Sequence, residues 1–564
     1  MIDFFHRHRN KIDFCNLIFL CIFAVYTILR EVIPIKIYIG SSMLSALVFM
    51  GCFGFLFLSA LSNKKYFKVP NLALFIAFLG VICISSILNK EFSFSLNINA
   101  ILWMFVFLFY LYPQGYHMLC NKPKYITVLF TVIVVILTAL MLISLPMYIY
   151  DVDYDFYKTT GAFTNQGFSN QYIRLWGVFQ EANYGAVYSA VGLIIAIYLF
   201  SKTKKVLPRI LLVFSSSLFM SFIVLSGSRT TQLITIVISA WTALYISLTK
   251  LNSTNKKRYI LSVVSCILAI ITYIGIFTTV KNVLPYIKVA IRNNTTYEKY
   301  EEIHKDYDSF YQNGDVNVVR GYYTENSNPY TKEPQTTVPP TTQEPYSTEE
   351  TTTTETPKTT ETPTTTEIPT TTEAQTNAEE STIAEKTTIP GPNSSNETDK
   401  DDNNAVVKLD RTDLGKADFS NGRLQRWYDA LQIFKNAPVF GASPRGIYEF
   451  ARVHNPDTTM AKYWYSISNV YLEILAETGI VGFIIILFLI IKTISLILFN
   501  AFKGKYSGSF LTFASVILLL AGAAFLQSDL FFNLTFGGFT FWLLMGLMNN
   551  IDKYYDVTKD EKND

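Results

Sequence analysis

The sequence predicts an all-α polytopic integral membrane protein of about twelve transmembrane helices, with one large extracytoplasmic segment holding short amphipathic helices and a Thr/Pro-rich insert. Three observations predict it. Half of the 564 residues are hydrophobic and 15% are aromatic, too apolar a balance for a water-soluble chain of this length. The apolar residues gather in blocks of about 20, the length that crosses a bilayer as a helix. Six groups of basic residues fall before the first block and in short loops between blocks, and under strict alternation all six lie on one side.

In chain order the blocks are 14–33, 40–61, 71–88, 100–119, 125–148, 182–201, 209–226, 231–249 and 259–280, then 478–499, 509–526 and 530–550. They divide the chain into an N-terminal bundle (1–280), a large outer segment (281–477), C-terminal helices (478–550) and a tail (551–564). Arg7, Arg9 and Lys11, then Lys64, Lys65 and Lys68, then Lys122 and Lys124, with later groups at 202–209, 250–258 and 503–505, mark the cytoplasmic side. Both termini are therefore expected in the cytoplasm, and any chemistry outside. The first block is full length and has no small-residue cleavage site, so it reads as a span rather than a removed signal peptide.

The net charge of +3 is too small and too dispersed for a nucleic-acid partner. The six cysteines lie in or at the ends of the apolar blocks, with neither a disulfide framework nor metal-type Cys/His spacing. No metal or cofactor is expected. Asp151, Asp153 and Asp155 alternate as a divalent-metal loop would, but lack the glycine and distal glutamate of a calcium hand, and read as a solvated loop end.

Within the large outer segment, 333–390 is dominated by Thr, Pro and Glu. Such chain buries too little apolar area to offset its entropy, so a disordered spacer is expected; a mucin-like glycan carrier is the sharper reading. The sequons at Asn393 and Asn396 are weak signals.

The stretch 421–478 is different. From Arg423 to Lys435 apolar residues recur with helical period: Leu424, Trp427, Tyr428, Leu431 and Phe434 share one face, and Arg423, Arg426 and Lys435 the other. Pro438 ends the pattern. Further on, Ile467, Val470, Tyr471, Ile474 and Leu475 form a second apolar face opposed by Asn469, Glu473 and Glu477. Gly479 closes this half-helix, and an apolar block follows at once.

Several elements then occur in a fixed order: RLWGVFQEAN at 174–183, the Ser228-Arg229 turn, Gly422-Arg423 leading to Trp427, the PVFG turn at 438–441, and NVYLE running to GIVG at 469–482. This ordered set resembles the O-antigen ligase and polymerase superfamily of bacterial envelope glycan assembly, over about 170–500. The resemblance implies transfer of a glycan from a polyprenyl diphosphate carrier to an acceptor hydroxyl, at the outer face of the cell membrane. Its partners would be that lipid-linked glycan, an acceptor and the bilayer. The family commonly carries His just before the Asn of the half-helix, with a role as base attributed to it; here that position is Ser468, which cannot serve as a base near neutral pH.

The residues themselves suit the same chemistry. A diphosphate leaving group is best held by the planar donor fork of arginine. Arg174, Arg229 and Arg423 are expected to bind it, with Asn183 beside Arg174; headgroup snorkelling is the bland reading, and the one favoured for Arg426. Arg229, Arg423, Asn469, Glu473 and His454 are the catalytic candidates, with His454 as a substitute base. Against these stand a helix cap for Asn469, an idle loop position for His454, and simple solvation of the half-helix by Glu473 and Glu477. Glu181 is a third carboxylate at an outer helix end. A lipid-linked oligosaccharide flippase would fit the span count, but a transport path predicts charges within the spans, and few occur.

Overall fold

The computed structural model describes residues 2–33, 35, 42–157, 163–169, 173–250, 255–311, 317–320, 422–463, 466–503, 508–527 and 530–563. The chain divides into two units, Met1–Tyr322 with Val406–Asp564, and Tyr323–Ala405. The second unit lies outside the described residues, and with it the Thr/Pro-rich insert and both sequons.

The first unit is mostly helical. Its longer elements are α1 (Arg9–Leu29), α2 (Ser42–Ser62), α3 (Leu72–Leu88), α4 (Phe94–Phe105, continuing with π-type turns to Leu119), α5 (Pro123–Ile149), α6 (Ala182–Lys202), α7 (Val206–Leu225), α8 (Arg229–Lys250), α9 (Asn255–Asn293), α10 (Arg423–Asn436), α11 (Ile447–His454), α12 (Val470–Lys503), α13 (Gly508–Ala523) and α14 (Phe536–Met548). Among the described residues nine helices are long and apolar enough to cross a membrane, and α3, α13 and α14 are shorter apolar helices. Those three stand at the remaining three expected blocks.

The bundle interior is aromatic. Phe23 packs edge-on to Phe539, and Phe75 edge-on to Tyr112 and Trp542. Some polar side chains within it are paired with each other, as a medium without water favours: the Tyr110 hydroxyl donates to Asn16 Oδ1 at 2.6 Å, and Gln114 Nε2 donates to Ser59 Oγ at 2.9 Å. At the other extreme, α9 buries almost nothing against the protein, and Ile260, Val263, Ile267 and Ile271 all point outward. A helix that is apolar all round and uncovered suits lipid.

Three findings depart from the sequence reading. The first is a four-stranded antiparallel sheet, in the order β3-β2-β1-β4, built from β1 (Asp153–Tyr157), β2 (Phe163–Ser169), β3 (Arg174–Gly177) and β4 (Asn317–Arg320). The segment DYDFY alternates acidic and aromatic residues, and that period of two is the pattern of a strand rather than of a metal loop. Asp151, just before it, is no solvated loop end; it is buried and ion-paired with Lys288 and Arg292. Both partners sit on α9, which runs on to Asn293 instead of stopping at 280.

The second concerns α10. Leu424, Tyr428 and Leu431 are exposed, while Asp429, Ala430 and Ile433 are buried. Ala430 and Ile433 face the protein, and Asp429 is accommodated beside them because its carboxylate accepts from the Thr459 backbone N–H and hydroxyl. The third is Glu477, which was expected to solvate the half-helix. It is buried, and its Oε2 has no hydrogen-bond partner among the described residues.

Candidate functional site

Strand β3 carries Arg174 at its first position and ends at Gly177. The chain then pairs with the segment after α1: Val32 bridges Phe179, Ile33 N–H donates to the Val178 carbonyl, and Gln180 N–H donates to the Glu31 carbonyl. Phe179 is fully buried against Phe222 and Tyr188. Glu181 follows as the residue that opens α6, and Asn183 lies in its first turn. One short extended stretch thus fixes an arginine, a carboxylate and an amide in sequence.

Arg174 is held from three directions. Its Nε donates to the Ser226 carbonyl at 2.8 Å, its Nη2 donates to Asn183 Oδ1 at 3.1 Å, and its guanidinium lies 5.0 Å from the Trp176 ring centre. Ser226 belongs to the turn between α7 and α8, and Ser228 closes that turn: its hydroxyl lies 3.1 Å from that of Thr231 and accepts from the Thr231 N–H. Arg229 is therefore the first residue of a helix, three positions from the carbonyl that anchors Arg174. The positive end of the α8 dipole points into the same place.

Glu181 joins this group to the later half of the chain. Its side chain is exposed, and the protein around its carboxyl raises its pKa. Arg174 opposes the rise, Glu31 adds to it, and Arg423 and Arg426 oppose it. Four charged residues from three separate parts of the sequence thus act on one carboxyl: Glu31 from the end of α1, Arg174 from β3, and Arg423 and Arg426 from α10. Glu31 is itself buried.

Arg426 extends the site to the half-helix. It donates from Nη1 to Ser468 Oγ at 3.2 Å and to the Ser466 carbonyl at 3.5 Å, and from Nε to the Gly422 carbonyl at 3.3 Å. The snorkelling expected of it is not observed. Asn469 caps α12, its Oδ1 accepting from the Tyr471 and Leu472 N–H groups at 3.0 and 3.2 Å. Glu473 faces Tyr448, whose hydroxyl is kept protonated by burial, with Glu473 and Glu477 adding and Arg445 and Arg426 opposing. Arg445 in turn donates to Asn533 Oδ1 at 2.7 Å.

The half-helix ends in a break at Gly479 (φ 64°, ψ −170°), and the turn after α10 fills that break. Ala442 N–H donates to the Ala476 carbonyl at 2.8 Å, Ser443 N–H to the Glu477 carbonyl at 3.2 Å, and Ile480 N–H to the Pro438 carbonyl at 2.9 Å. Ser85 Oγ also donates to the Glu477 carbonyl, at 2.9 Å. The backbone groups freed by the break are thereby satisfied. A Cβ on Gly441 would lie 2.2 Å from the Glu477 carbonyl carbon, and one on Gly479 2.3 Å from that of Val439. Two glycines in left-handed backbone let turn and helix touch.

Residues 393–487 match the family model described as O-antigen ligase. The match shows a likeness to that family over this stretch of the 564-residue chain. No curated protein and no solved structure matches the chain. The matched stretch contains Arg423, Arg426, Asn469 and Glu473, together with the interlocked turn and helix break.

The structure thus brings together Arg174, Asn183, Arg423 and, through the turn at Ser226, the helix start at Arg229. His454 is elsewhere: it is exposed, with its ring 4.4 Å from that of Phe450 and 6.0 Å from that of Phe92, and no described contact ties it to the arginines. Glu31 and Tyr448 were not singled out from sequence. The only signal for Glu31 was a carboxylate directly behind Arg30 at the end of an apolar block. Among the described residues no three His, Cys, Asp or Glu side chains converge as metal ligands.

Proposed function

We propose that this protein transfers an oligo- or polysaccharide from a polyprenyl diphosphate carrier to an acceptor hydroxyl at the outer face of the cell membrane, with both termini in the cytoplasm. The observation that carries this reading is the likeness of residues 393–487 to the O-antigen ligase model, and beside it stands the set of arginines, Arg174, Arg423 and Arg426, whose charge reaches the Glu181 carboxyl. Arginines in that number suit a diphosphate, whose oxygens accept paired donors from a guanidinium. A carboxylate more basic than usual suits the acceptor, whose proton must go somewhere.

In the reaction, the acceptor oxygen forms a bond to the anomeric carbon while the bond from that carbon to the carrier diphosphate breaks. The acceptor proton passes to Glu181, and the carrier leaves as the diphosphate. Arg174, Arg229, Arg423 and Arg426 hold the phosphate oxygens and offset the charge that grows on the leaving group. Arg174 is preset by Ser226 and Asn183, so little side-chain freedom is lost when the donor binds. Asn469 and Glu473 wall the site from the half-helix side.

The test is reconstitution of the purified protein in liposomes with a lipid-linked oligosaccharide and an acceptor glycan. Acceptor-dependent release of the carrier diphosphate is expected. A ladder of products marks a polymerase and a single conjugate a ligase. Movement of the intact lipid-linked sugar across the bilayer with no diphosphate released would replace this reading by a flippase.

A further inference from the structure

A second cluster of cations lies at the other end of the bundle. Helix α1 begins at Arg9 and ends two residues before Glu31, and at 1.5 Å per residue its ends are about 30 Å apart, the thickness of a bilayer core. Around its first turn a cavity of about 500 Å³ opens between helix ends, lined by Arg9, Asp13, Lys65, Lys68, Lys122 and Lys553 with several amides and His117. Five cationic side chains thus face one carboxylate.

That carboxylate is already shared. Asp13 is buried, with Lys122 Nζ at 2.9 Å and Arg9 Nε at 3.9 Å. Lys122 also donates to Asn10 Oδ1 at 3.0 Å. Lys65, Lys68 and Lys553 make no ion pair with any described residue, and all three are exposed. The polar frame of the cavity is fixed: His117 Nε2 lies 2.9 Å from the Tyr66 carbonyl, and Asn550 Nδ2 donates to the Tyr116 carbonyl at 2.8 Å. Loop cations that merely set orientation have no reason to converge on a cavity. Cations gathered between helix ends at a membrane surface suit an anionic headgroup.

We propose that this pocket binds a phosphate-bearing anion, either a lipid headgroup or a free phosphate compound. Its ligand is independent of the glycan donor, because the pocket lies a bilayer's thickness from Glu181 and shares no residue with that site.

The full-length protein is placed in phosphatidylcholine nanodiscs and titrated with inorganic phosphate; in a parallel arm, discs doped with phosphatidic acid are probed by native mass spectrometry for retained lipid. Binding in the first arm identifies a free anion, and retention in the second a headgroup. The variant Lys65→Gln/Lys68→Gln/Lys553→Gln is expected to lose about tenfold or more in affinity, since three ion pairs of modest strength are removed. Lys204→Gln, an exposed lysine that lines neither site, is expected to leave that binding unchanged. Should the triple variant fail to fold, Lys68→Gln alone takes its place, with a several-fold loss expected. No binding in either arm, or equal binding by wild type and the lysine variants, overturns the proposal.

Discussion

Glu181 illustrates how much of a site can depend on neighbours that a sequence does not reveal. By itself it is one carboxylate at a helix start. Its pKa is raised by the protein packed round it and by Glu31, against the pull of Arg174, Arg423 and Arg426. As a base it works only when ionised, so transfer should fall as pH drops, with a midpoint above the ordinary carboxyl value of 4.5. Arg426→Gln removes a cation that stabilises the carboxylate, and the midpoint should move to higher pH. Rate against pH for both proteins checks this; a midpoint that moves down, or stays, excludes Glu181 as the titrating group. Arg174, Asn183 and Arg423 were legible in the sequence because they stand in spaced motifs. Arg426 was not, because an arginine three residues from another on an amphipathic helix looks the same whether it meets headgroups or a serine at 3.2 Å.

At the scale of elements, the break at Gly479 is the joint of the matched family stretch. The turn at 438–443 and the half-helix hold each other by backbone hydrogen bonds. Gly479→Ala puts a side chain in backbone that only glycine adopts at low cost, and sets its Cβ against Val439. A loss of about 2 kcal/mol or more is expected from unfolding in detergent. Gly275→Ala, on the uncovered α9 with nothing near its Cβ, is the control and should be neutral or slightly stabilising. The half-helix and its glycine end were readable from spacing. The inward face of α10 was not: Leu424, Tyr428 and Leu431 meet the surroundings while Ala430 and Ile433 meet the protein. Beside a membrane, an apolar stripe marks what avoids water without saying whether lipid or protein covers it. The sheet escaped for a related reason, since its acidic residues resembled a loop and its aromatic alternation was short.

At the scale of the whole molecule, two ends of one helical bundle carry opposite tasks in this account, glycan transfer at one and anion binding at the other. The span positions followed from hydropathy because a bilayer dictates length, and each expected block meets an apolar helix. The tract 333–390 has no place in either task. Its deletion should leave Tm nearly unchanged and transfer within about threefold, because closing a shorter loop changes the free energy only weakly. A collapse in folded yield would assign it a structural role.

The most direct test of the proposed transfer site is a single-turnover assay on Glu181→Gln, with donor binding measured on the same sample. Glutamine keeps the shape and cannot take the acceptor proton. Transfer should fall about 100-fold or more while the lipid-linked donor still binds, since the arginines are intact. Transfer at the wild-type rate by Glu181→Gln would contradict the account.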